Sequence, residues 1–258
     1  MITVIISDIH GNLEALNSVF EDIKNINVDR IICLGDIIGY GPNPNECLEL
    51  IKRRSCLPII GNHEEIYLGN IDNEGCSHIG LISSKWTKNE VDSEYIPYIK
   101  SFKRFLSYDD CMYTHTGFIN NNYPYLNKEI DIVQAFDSEK YNIIFYGHTH
   151  RPKITSLENG EVTSINVLQN TEINIKDGVK YFINVGSVGQ QRDSITNASY
   201  AILQDDDYIR KVSIRRIPYD SYTTYCKIRN KIKSIEISNY LIREQERRDY
   251  YENSFNRC

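Results

Sequence analysis

Tyr141-Asn142-Ile143-Ile144-Phe145-Tyr146-Gly147-His148-Thr149-His150 is the stretch that decides the plan of the chain. Its first six residues are rich in β-branched and aromatic side chains and predict a buried strand. Gly147 ends the strand and lets the backbone turn tightly. Two imidazoles two residues apart at a strand end can point into one cleft. Imidazole is the commonest side-chain ligand for zinc, iron, manganese and their neighbours. A lone His-x-His pair also arises by chance, so the other histidines decide its meaning.

The same arrangement recurs upstream. Residues 2–7 predict a buried strand ending at Ser7-Asp8-Ile9-His10-Gly11-Asn12. A helix should follow, with Leu13, Leu16, Val19, Phe20 and Ile23 on one face. Arg30-Ile31-Ile32-Cys33-Leu34 is a second strand, closed by Gly35-Asp36 and the loop Gly39-Tyr40-Gly41-Pro42. Asn43 or Asn45 can cap the next helix, which turns Cys47, Leu48 and Ile51 inward. A third strand, Leu57-Pro58-Ile59-Ile60, stops at Gly61-Asn62-His63-Glu64, and Asp109–Gly117 is another, ending in His115 and glycine. Asp or Asn at one strand end reads as a turn or cap residue. Repeated ends of this composition read as a ligand crevice, because loops at the strand C-termini of an α/β sheet converge.

Elsewhere the pattern is less informative. Residues 72–107 predict a helical, irregular lobe beside the sheet core, and His78 within it reads as an ordinary packed or surface histidine. A short helix is expected over 130–136. The runs 153–157, 161–167, 179–185, 200–204 and 208–217, with turn signals Glu158-Asn159-Gly160 and Lys176-Asp177-Gly178, predict hairpins, and Asp205-Asp206-Asp207 a hairpin tip. From Asp220 onward the chain is charged and helix-prone, with Ile232, Ile235 and Leu241 as packing contacts and a frayed end at 252–258.

At 258 residues and 41% hydrophobic content, the chain can bury one large core, with or without an appendage. A net charge of -6 without long like-charged blocks disfavours a polyanion-binding surface, so nucleic acid is not the expected partner. The N-terminus has no basic leader, and no apolar window approaches the ~18 residues of a membrane span. Seven cysteines without a Cys-x-x-Cys pair fit a reducing compartment, so a cytoplasmic protein with no membrane partner is expected.

Five of the six histidines (His10, His63, His115, His148, His150) sit at predicted strand ends beside glycine. With Asp8, Asp36 and Asn62 they supply enough donors for two metal ions, with one histidine to spare. Mixed nitrogen and oxygen donors suit manganese, iron, zinc, cobalt or nickel better than calcium. One carboxylate such as Asp36 can bridge two cations roughly 3.5–4 Å apart, which would arm a bridging hydroxide near neutral pH. Such a pair also neutralises charge building on a phosphoryl group. The spare histidine could protonate a leaving alkoxide.

Asp8-Ile9-His10, Gly35-Asp36, Gly61-Asn62-His63-Glu64, His115 and Gly147-His148-Thr149-His150 resemble, in order, the motifs of the calcineurin-like metallophosphoesterases. The likeness continues in Asn184–Asp193, which resembles that family's Gly-Ser loop. The resemblance implies an α/β fold: a four-layer α/β/β/α sandwich with two mixed β-sheets and a dimetal site at the strand C-terminal ends. With no clear boundary between autonomous domains in the sequence, the expected organisation is a phosphoesterase domain over 1–219, with a helical insertion at about 72–107, and a C-terminal helical appendage over 220–258. One metal would take Asp8, His10 and His150, the other Asn62, His115 and His148, with Asp36 between them. His63 would assist the leaving oxygen. The Asp-Arg pair that phosphoprotein phosphatases carry after their Gly-Asp is absent from Gly35-Asp36-Ile37-Ile38-Gly39-Tyr40-Gly41-Pro42. A bidentate guanidinium is hard to replace. The loop instead resembles small bacterial and archaeal members, many described as phosphodiesterases. Arg192 could supply a substitute clamp, with Asn12 or Tyr40 nearby. The expected substrate is a phosphodiester or small phosphorylated metabolite, its specificity set by 72–107 and 118–128. The alternatives are a phosphomonoesterase, acting on phosphoproteins or dinucleoside polyphosphates among others, and a non-catalytic scaffold such as a retromer subunit of the same fold.

Overall fold

A computed structural model describes residues 1–72, 77–117, 123–136 and 140–241. Its frame is two six-stranded sheets. The first runs β3 (Leu57–Pro58), β2 (Arg30–Cys33), β1 (Ile2–Ile6), β11 (Ala198–Asp205), β12 (Arg210–Ile217), β9 (Thr171–Asn174). The second runs β4 (Phe105–Tyr108), β5 (Cys111–Thr114), β6 (Ile143–Tyr146), β10 (Lys180–Asn184), β7 (Lys153–Glu158), β8 (Glu161–Asn166). Both are mixed. β1, β2 and β3 are parallel, as are β5, β6 and β10, and the remaining pairings are antiparallel.

The period of two along each strand builds the layers. In β1, Ile5 faces the second sheet and joins Ile32, Tyr113, Phe145, Ile183 and Ala201 in the core between the sheets. Its neighbours Val4 and Ile6 face outward, onto α1 (Leu13–Asp22) and α2 (Pro44–Arg53), through Leu16, Val19, Phe20, Cys47, Leu48 and Ile51. On the second sheet, Met112, Ile144, Tyr146 and Phe182 point the other way, under Ile132 of α6 (Glu129–Ala135) and Phe136. The order is helix, sheet, sheet, helix, as the resemblance implies. Asn43 occupies the cap position of α2, but its amide donates to Glu46 instead of capping, while Pro44 opens the helix.

Between α3 (Asn62–Leu68) and β4 lie α4 (His78–Glu90) and α5 (Ile96–Lys100), which makes 72–107 partly helical. One expectation fails there: Phe105–Tyr108 is an edge strand and not helical. Tyr95, Ile99 and Phe102 pack beside the first sheet, in the same core as α1 and α2. β9 went unread because Thr-Glu-Ile-Asn offers one apolar residue and lies at a half-exposed edge. The tail forms α7 (Ser221–Lys227), a π turn over Ile228–Ile232, and α8 (Ile235–Leu241). Ile232 packs as expected, whereas Ile235 is 50% exposed. The expected frayed end and residues 118–122 lie outside the described residues. Among the described residues no helix is long and apolar enough to cross a membrane.

A charged tie joins the sheets at the start of β5 (Cys111–Thr114). Arg210 on β12 forks onto both carboxylate oxygens of Asp110, which also accepts from Asn142 Nδ2 at 2.9 Å. The Arg210 hydrogen bonds hold the Asp110 pKa below the usual carboxylate range. A depressed folded-state pKa contributes stability above the unfolded value of about 3.9, lost as pH falls through the folded value. Urea unfolding should therefore show the gap between wild type and Asp110→Asn closing below about pH 4. A gap that persists unchanged at lower pH would remove the ion pair as its source.

Candidate metal centre

The C-terminal ends of the parallel strands of both sheets meet at one pole of the sandwich. Asp8 follows β1, Asp36 follows β2, Asn62 and His63 open α3 after β3, His115 follows β5, and His148 and His150 follow β6. The loops brace one another through main-chain bonds, Asp8 N to Gly35 O at 3.0 Å and His10 N to Asp36 O at 2.9 Å. Backbone geometry is unusual here. Asp8, His10, Asp36, His148 and His150 all have left-handed φ, between 49° and 67°. Non-glycine residues seldom adopt it, at a cost of about 1–3 kcal/mol each, and such strain persists only where surrounding structure enforces it. Gly147 is enforced too: a Cβ there would stand 2.1 Å from Ser7 Oγ and 2.4 Å from Asp8 Oδ2.

Hydrogen bonds fix the imidazole tautomers. His10, His115 and His150 each turn Nδ1 to a main-chain carbonyl, those of Ile38 at 3.1 Å, Leu34 at 2.8 Å and Gln190 at 2.5 Å. A carbonyl only accepts, so Nδ1 carries the proton and Nε2 keeps a lone pair. His148 is reversed, with Nε2 facing Tyr123 O at 3.1 Å and Nδ1 left bare. The bare nitrogens then face one another, His10 Nε2 to His150 Nε2 at 3.2 Å and His115 Nε2 to His148 Nδ1 at 3.2 Å. Lone pair against lone pair is repulsive, and a cation or a shared proton between them removes the repulsion.

Carboxylates complete both groups. Ser7 Oγ (2.6 Å) and His148 N (3.0 Å) saturate Asp8 Oδ2. Asp8 Oδ1 is buried without a well-formed hydrogen bond, 3.1 Å from His150 Nε2. Asp36 Oδ1 accepts from His63 N at 2.9 Å, and its Oδ2 lies 3.7 Å from His10 Nε2 and 3.4 Å from His115 Nε2. Asn62 Oδ1 is 3.1 Å from His115 Nε2. The donor atoms of Asp8, His10, Asp36 and His150 lie within 4.8 Å of one another, as do those of Asp36, His115 and His148. Asp36 belongs to both.

Protonation follows from burial and these neighbours. Burial lowers the pKa values of His10, His150 and His148, the last to about 3, favouring the neutral ring that binds metal. Burial opposes ionisation of Asp36, yet His115, His63 and His10 together outweigh it and hold the carboxylate below its usual range. Burial also opposes charge on His115, but Asp36 and Asp8 push it up to about 9. A divalent cation would displace that proton, as metal binding to imidazole does generally.

Two residues escaped the sequence reading as organisers. Glu64 is fully buried and accepts from the main-chain nitrogens of Gly61, Asp36, Ile37 and Ile38 at 2.8–3.1 Å, locking two loops together. Burial and the Asp36 charge push its pKa up to about 7, against the pull of those amides. A glutamate three residues after a helix cap was the available signal. Ser187 donates to Asp8 O at 2.8 Å and accepts from Gln190 N at 2.7 Å, tying the Gly-Ser loop to β1.

The remaining candidates divide. His63 lies edge-to-face with His10 beside the centre, the ring centroids 4.8 Å apart. Arg192 stands at the rim, with Nη2 3.1 Å from Gln190 Oε1, and its charge adds to burial in lowering the pKa values of His63 and His150. His78 is exposed and outside both groups. Asn12 is fully buried; its Oδ1 accepts from Ala15 N (3.1 Å) and Thr224 Oγ1 (3.1 Å), and its Nδ2 donates to Gly189 O (2.9 Å), so most of its hydrogen-bonding capacity serves the fold.

The sequence profile of the calcineurin-like phosphoesterase superfamily domain matches residues 1–207. The chain belongs to that superfamily. This calcineurin-like phosphoesterase is 38% identical to the uncharacterized protein MJ0912 of Methanocaldococcus jannaschii over 229 residues, 87% of this chain and 90% of that one. A metallophosphoesterase from Sphaerobacter thermophilus of known structure is 32% identical, with a TM-score of 0.77 over 93% of this chain and 98% of the other. The hypothetical protein PH1004 of Pyrococcus horikoshii OT3, 16% identical, shares the fold, with a TM-score of 0.70 over 93% and 97% of the two chains. Family and structural likeness make this phosphoesterase a hydrolase of phosphoric ester bonds, and its Asp/His groups form a metal site.

Proposed function

We propose that the protein holds two divalent transition-metal ions and hydrolyses a phosphodiester or a small phosphorylated metabolite. The observation that carries this reading is the sharing of Asp36 Oδ2 between two sets of bare imidazole nitrogens. Asp8, His10 and His150 would hold one ion, Asn62, His115 and His148 the other, with Asp36 between them. When bound, such a pair activates water and neutralises charge on the phosphoryl oxygens. Manganese, iron, zinc, cobalt and nickel all suit this donor set.

The chain's own groups do the rest. His63 stands beside the first donor set and assists the leaving oxygen. Arg192, reaching over from the loop after β10, orients the phosphoryl group. A single guanidinium suits the one negative charge of a diester better than a dianionic monoester, for which phosphoprotein phosphatases add the Asp-Arg pair absent here. The five cysteines among the described residues are free thiols, in keeping with a cytoplasmic location.

The test is turnover of bis(p-nitrophenyl) phosphate against p-nitrophenyl phosphate by the manganese-loaded protein. A higher kcat/KM on the diester is expected, and Arg192→Ala should lower it about ten- to hundredfold, the loss of a charged hydrogen bond. Preference for the monoester would reverse the substrate class. Turnover of neither would favour the scaffold reading, and an unaffected Arg192→Ala would remove the clamp.

A further inference from the structure

A proton donor to a leaving group works only if its ring is held in place, and His63 lacks the usual anchor. Among the described residues its main-chain N–H is bonded, to Asp36 Oδ1 at 2.9 Å, but no carboxylate or carbonyl is hydrogen-bonded to its ring. Rings and backbone confine it instead. The Tyr40 centroid lies 4.9 Å away at 53° and that of His10 4.8 Å away at 76°. On the side of Nδ1 the main chain closes in so tightly that a Cβ on Gly39 would stand 2.3 Å from that atom.

Tyr40 is itself held with effort. It is 5% exposed and takes a left-handed φ of 57°, a conformation unusual for a bulky residue. Its main-chain N–H donates to Ser83 Oγ of α4 at 2.6 Å. Behind it, the C-terminal segment supplies Ile228 and Ile237, both 0% exposed, with Tyr225, Ile232, Ile79 and Ile82 around them. The same segment is pinned to the neighbouring loops by Lys231 Nζ to Pro42 O at 3.1 Å and by Thr224 Oγ1 to Asn12 Oδ1 at 3.1 Å. It lies wholly beyond residue 207, where the match to the family profile ends.

We propose that Tyr40 is the positioning residue of His63, and that the C-terminal segment from Ser221 to Ile237 is the wedge that keeps Tyr40 there. This rests on the reading of His63 as the group assisting the leaving oxygen. Tyr40 fills the place of a hydrogen-bonding orienter through the contact of its ring with the imidazole. The C-terminal segment is then a working part of the active site, acting two contacts away from the substrate.

The test compares p-nitrophenyl and phenyl esters of whichever ester class the enzyme turns over, because phenolate is the poorer leaving group and needs the donor more. His63→Gln should lose far more kcat on the phenyl ester than on the p-nitrophenyl ester. Tyr40→Ala should show the same asymmetry, an extra loss of about ten- to hundredfold on the phenyl ester with KM little changed. Ile237→Ala should show a weaker form of the Tyr40→Ala pattern. A readout independent of turnover is the ¹⁵N-imidazole spectrum of the metal-free chain. The His63 signal should shift or broaden in Tyr40→Ala and Ile237→Ala. If His63→Gln slows both esters equally, the leaving-group role of His63 falls, and the proposal falls with it. If His63→Gln discriminates while Tyr40→Ala slows both esters equally, or leaves the His63 signal unmoved, the positioning role alone is overturned. Should Tyr40→Ala fail to fold, Tyr40→Leu and Ile237→Ala carry the same comparison.

Discussion

Asp36→Asn is expected to lower kcat/KM by about 10⁴-fold, the largest single effect on activity in this molecule, since on the proposed two-ion reading an anion facing both cations would contribute several kcal/mol. Asn keeps the acceptor that binds His63 N but replaces an anionic oxygen with a neutral oxygen or an NH₂ group. Because Asp36 Oδ2 serves both donor sets, 3.7 Å from His10 Nε2 and 3.4 Å from His115 Nε2, one substitution weakens both. Steady-state kinetics and metal content by elemental analysis check this together. Two retained equivalents of metal with activity within tenfold of wild type would sink the shared role.

Arg216→Met should produce the largest loss of stability. The Arg216 side chain is 2% exposed and that of Asp193 is 10% exposed, and the guanidinium forks onto both Asp193 oxygens. It also donates to the carbonyls of Val167 (3.1 Å), Ile195 (3.0 Å) and Asn197 (3.3 Å), so β12 anchors the loop that carries Arg192. Removing one partner of a buried ion pair costs about 3–5 kcal/mol, because the other charge is left desolvated. For a domain of this size that lowers the melting temperature by roughly 10 °C. Urea unfolding measures it, and a loss under about 1 kcal/mol would mean that Asp193 is rehydrated in the variant.

The sandwich was legible wherever one residue pattern served one environment. β1, β2 and β6 are short apolar runs closed by Ser or Gly, and they lie at the centre of the sheets where such runs belong. Asp8, Asp36 and the histidines were legible as candidates because metal-binding side chains at strand ends are an unusual use of those positions. Phe105–Tyr108 and Thr171–Asn174 were not: both lie at sheet edges and are only half-buried. Thr-Glu-Ile-Asn offers one apolar residue, and Phe-Leu-Ser-Tyr is too short a run to tell from the helical stretch before it. Asn12 shows the limit of a motif. It stands in the same loop as Asp8 and His10, yet its side chain is taken up by α1, Gly189 and Thr224, contacts made across 3 to 212 residues of sequence. Glu64 and Tyr40 act by holding other residues, and a role of that kind exists only in three dimensions.

All the chemistry gathers at one pole, and this leaves the opposite one plain. The β7–β8 hairpin turns there at Asn159-Gly160, and the β11–β12 hairpin at Asp206–Tyr208. Space is open around Gly160, where an added Cβ would meet nothing within 4 Å. Tyr208 is 95% exposed. Those two tips are where a fluorophore, an affinity tag or an inserted domain can be grafted at the pole opposite the candidate metal centre.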